Sequence, residues 1–106
     1  MAATYRVVPG TLSVTPVKSS YTTDEEVELR IKCTMERKNS FGALLAWSGD
    51  FYIYNAAGNL LAQEVDTFWA VSPDAAINQG TADFIKKIGK FTAGTLAGYV
   101  VVKAHG

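Results

Sequence analysis

The stretch Glu25-Glu26-Val27-Glu28-Leu29-Arg30-Ile31-Lys32-Cys33-Thr34 alternates apolar and charged side chains. That period of two belongs to a strand with one face in a core and the other in water. Val27, Leu29, Ile31 and Cys33 share one face and are expected in the core, while Glu26, Glu28, Arg30 and Lys32 form a charged outer row. Thr22-Thr23-Asp24 reads as the turn before this strand, and the polar cluster Glu36-Arg37-Lys38-Asn39-Ser40 as its end. Further apolar, strand-like runs are punctuated by Gly, Asn, Asp and Pro. The chain therefore reads as all-β.

With 106 residues the chain fits one domain, residues 1–106, of a size that buries roughly two-thirds of its unfolded surface. Hydrophobic residues are 48 % and charged residues 19 %, which sits in the globular range and excludes a disordered charged tail. Ten Lys and Arg balance ten Asp and Glu, so no net field favours nucleic acid. The short basic clusters Arg37-Lys38 and Lys86-Lys87 with Lys90 read as solvated strand ends rather than a phosphate site.

The single cysteine, Cys33, rules out an internal disulfide and reads as a small buried hydrophobe. The single histidine, His105, is next to last in the sequence and makes a poor catalytic partner for it. The N-terminus lacks a charged segment followed by a long apolar one, and no run approaches bilayer length. The expectation is a cytoplasmic chain without membrane insertion. A virion or cell-surface location follows instead if the chain belongs to an assembly or is an excised domain.

Along the chain, residues 5–8 and 11–17 read as short extended pieces separated by Pro9-Gly10, with Pro16 marking an edge or strand end. The segment 36–50 is open between a long loop, an edge strand and a helical turn. Phe51-Tyr52-Ile53-Tyr54 and Leu60 to Val65, joined through Asn55-Ala56-Ala57-Gly58-Asn59, form the clearest hairpin. Phe68-Trp69-Ala70-Val71 is read as a separate short piece, Ser72-Pro73-Asp74 as its stop, and Asn78-Gln79-Gly80 as a further break. Residues 81–90 fit a strand better than the rival amphipathic helix, with Thr92-Ala93-Gly94-Thr95 as the turn that follows. Gly98 to Ala104, apolar on both faces, is expected as a central strand. About seven strands without crossover helices predict an antiparallel β-sandwich.

Three phrases carry a resemblance. Val14 to Tyr21 followed by Glu25-Glu-Val-Glu-Leu29, then Phe51 to Leu60, then Phe84-x3-Ile88 leading to Ala97-Gly-Tyr-Val-Val-Val102 resemble immunoglobulin-like accessory domains of bacteria and archaea. The resemblance implies an immunoglobulin-like sandwich and a role in adhesion, scaffolding or partner binding. It departs from antibody domains in lacking paired cysteines, with Trp47 the candidate for the core tryptophan. A more distant likeness is to small intracellular proteinase inhibitors of sandwich fold.

No catalytic or metal constellation stands out. Asp50, Asp66, Asp74 and Asp83 sit singly in turn-like contexts, and Glu26 with Glu28 reads as a surface row. The chain is expected to be non-catalytic, with no cofactor and no metal. Apolar residues beyond the needs of a minimal sandwich are the functional signal: Phe41, Leu44, Leu45, Trp47 and Trp69 are the candidate contacts to a partner chain or to a second copy. Trp47 is expected to be exposed, since glycines and a serine flank its apolar run. The alternative is a ligand-binding or inhibitor-type module using the 41–50 loop or a platform of Tyr52 and Tyr54, which share the strand face opposite Phe51 and Ile53.

Overall fold

The structure is a computed structural model that describes residues 4–38, 46–69, 76–90 and 97–106. It is all-β: β1 (Thr4–Val7), β2 (Ser13–Pro16), β3 (Glu26–Lys38), β4 (Ala46–Asn55), β5 (Leu60–Trp69), β6 (Ile77–Lys90) and β7 (Ala97–His105). These strands form two antiparallel sheets packed as a β-sandwich.

In the first sheet β3 is central. β6 pairs along one margin from Glu26↔Lys90 to Lys38↔Ile77. The other margin is shared by β1, opposite residues 35–38, and β2, opposite residues 29–32. Between those two short strands the Thr11 hydroxyl donates to Val8 O at 2.7 Å and accepts from Thr34 N–H at 3.1 Å, filling the gap in the ladder. In the second sheet β4 is central, between β5 and β7.

The alternation of β3 delivers Val27, Leu29, Ile31, Cys33 and Met35 to the core, none more than 5 % exposed. Trp47, Phe51 and Ile53 of β4 meet them, with Phe68, Ala82 and Ile88. Burying each of the larger side chains contributes about 1.5–3 kcal/mol. Phe51 of one sheet and Phe84 of the other meet edge to face, with centroids 4.9 Å apart. The β4–β5 hairpin closes at Asn55: its N–H donates to Asn59 O, Gly58 N–H donates to its carbonyl, and Asn59 N–H donates to its Oδ1. Gly58 supplies the left-handed residue of that turn, at φ 86°.

Several expectations are corrected. β3 runs to Lys38 rather than stopping near Thr34, so the polar cluster Glu36-Arg37-Lys38 is strand. Arg37 continues the inward parity and is fully buried, its guanidinium 5.6 Å from the Trp47 ring centroid. It is not part of a solvated basic cluster. Glu36 points outward yet is 4 % exposed, because Arg6 and Gln79 donate to its two carboxylate oxygens, each at 3.0 Å. β4 begins at Ala46, which places Trp47, Ser48, Gly49 and Asp50 on a strand rather than in a loop.

Phe68 and Trp69 are not a separate piece but the end of β5. Asn78-Gln79-Gly80 is strand as well, and β6 is extended throughout 81–90. Gly80 is needed there, since a Cβ would strike the Phe68 ring. β7 is a sheet margin rather than a central strand, paired only with β4 among the described residues. The turns expected at 72–74 and 92–95 lie outside the described residues.

Candidate functional site: the outer face of the second sheet

Strand parity builds this face. On β4, Trp47, Gly49, Phe51, Ile53 and Asn55 are buried, so Ser48, Asp50, Tyr52 and Tyr54 point outward and are half-buried. Register then sets Thr67 and His105 beside Ser48, Val65 and Lys103 beside Asp50, Gln63 and Val101 beside Tyr52, and Leu60 and Tyr99 beside Tyr54. Trp69 lies opposite Ala46 at the far end.

The face is largely apolar and aromatic. Trp69 is 70 % exposed, and Leu60, Val65 and Tyr99 are each about half exposed. Tyr54 and Tyr99 stack, with centroids 4.8 Å apart and planes 18° apart, and the Lys103 ammonium lies 5.6 Å from the Tyr52 ring centroid. A polar anchor across the rows is His105 Nε2 against Asp50 Oδ2 at 2.8 Å.

The outer face of the first sheet is of the opposite kind. Arg30 donates to both oxygens of Asp83 at 2.9 and 2.8 Å, and Lys87 pairs with Glu26 at 3.6 Å. The Arg30 guanidinium holds Asp83 below the usual carboxylate range, and Asp83 raises Arg30 in turn. Ile77 and Ile85 stand on it among polar neighbours. Such a face is solvated and largely self-satisfied.

The candidate residues divide. Trp69 and the pair Tyr52 and Tyr54 lie on the outer face of the second sheet. Trp47 does not: it is 1 % exposed, packed against Phe68 with centroids 5.6 Å apart, and is a core side chain. Phe41, Leu44 and Leu45 lie outside the described residues. Leu60, Val65, Val101 and Tyr99 were missed. Their signal was the parity of Lys103, which marks the outward side of β7 and so assigns Val101 and Tyr99 to it.

Tyr54 meets Tyr99 and Tyr52 meets Lys103. Cys33 is buried beside Met35, its thiol pushed up to about 11 by burial and by the charge of Asp66. Asp66 itself is raised by burial and by Glu64. Among the described residues no three His, Cys, Asp or Glu side chains gather as metal ligands would, and no helix is long and apolar enough to cross a membrane. No family model, curated protein or solved structure matches the chain.

Proposed function

We propose that this chain is a non-catalytic structural or protein-interaction module, a subunit of a larger assembly such as a virion, appendage or surface layer. It meets a partner protein through the outer face of the β5–β4–β7 sheet. The observation that carries this reading is the contrast between the two outer faces: one is laced with ion pairs, and the other presents Leu60, Tyr99, Val65 and Trp69 to water. Exposed aromatic and aliphatic side chains on a rigid sheet are the material of interface anchors.

An immunoglobulin-like arrangement is part of the proposal. It is supported by β3 lying between β1/β2 and β6 while β4 pairs with β7, as strand B lies between A and E and C pairs with F in that fold.

The test compares the immobilised chain with a Val65→Lys/Trp69→Ser variant in extract from cells that carry its gene. The expected result is a defined protein retained by the wild type and lost with the variant while both melt alike. Identical retention by the two overturns the face.

A further inference from the structure

We draw no further inference here: the strongest candidate, the exposed patch of Leu60, Val65, Trp69 and Tyr99 on the outer face of the β5–β4–β7 sheet, belongs to the surface already described, and nothing in the structure shows what covers it.

Discussion

Trp47 and Trp69 show how one residue type divides by parity alone. Trp47 shares the inward side of β4 with Phe51 and Ile53, while Trp69 follows Phe68 on β5 and is turned out by the same alternation. The assignment of Trp47 was legible: counting back from Phe51 by two reaches Gly49 and then Trp47. The glycine was taken as a loop signal, whereas its missing side chain makes room for Met35 and the rings around it. Trp47→Ala is expected to cost about 3–5 kcal/mol of folding free energy in denaturant titration, and Trp69→Ala within about 0.5 kcal/mol. Cys33 gives a second check on parity. With its thiol pushed up to about 11 and buried, it should react with a thiol reagent at pH 8 only when the domain opens. Labelling of the native protein at the rate of a free thiol would mean that β3 has a different register.

At the scale of the element, β3 shows what sequence pattern gives and what it withholds. Its apolar alternation from Val27 to Cys33 was plain, but its last turn of polar residues was misread, because Glu36 and Arg37 are held by partners far off in sequence. Arg6 and Gln79 come from β1 and β6, and Trp47 from the opposite sheet. The extended conformation of β6 was legible from its loose alternation, but its start at Ile77 was not, since the need for Gly80 exists only once Phe68 is in place. Glu36 makes the buried polar end testable. Its carboxyl lies below the ordinary value through the hydrogen bond from Gln79 and then through Arg6, against the opposing effect of burial. The folded state thus binds its proton less readily than the unfolded state. The stabilisation is complete above the unfolded carboxyl value and is lost as pH falls through the lower folded one. Melting temperature is therefore expected to fall on acidification from pH 5 downward, and Glu36→Gln should flatten that fall. A variant with the same acid slope as wild type would show that the carboxylate is not what ties β1 and β6 to β3.

At the scale of the whole molecule, most ion pairs and the exposed aromatic rings among the described residues lie on opposite faces. The chain has zero formal net charge, its ion pairs crowd the outer face of the first sheet, and its exposed rings stand on the second. That segregation was not legible, because it depends on β7 rather than β6 lying beside β4. It decides how association should respond to salt. Raising sodium chloride from about 0.05 to 0.5 M shortens the screening length several-fold and would weaken contacts made by the Arg30, Asp83, Lys87 and Glu26 face. Apolar contacts at the second sheet are scarcely screened, and sulfate strengthens burial of such surface. Sedimentation in chloride should therefore show a dissociation constant changed by no more than about threefold, and in sulfate a tighter one. A weakening of about tenfold in chloride would place the contact on the charged sheet, and the face argued for above would be wrong.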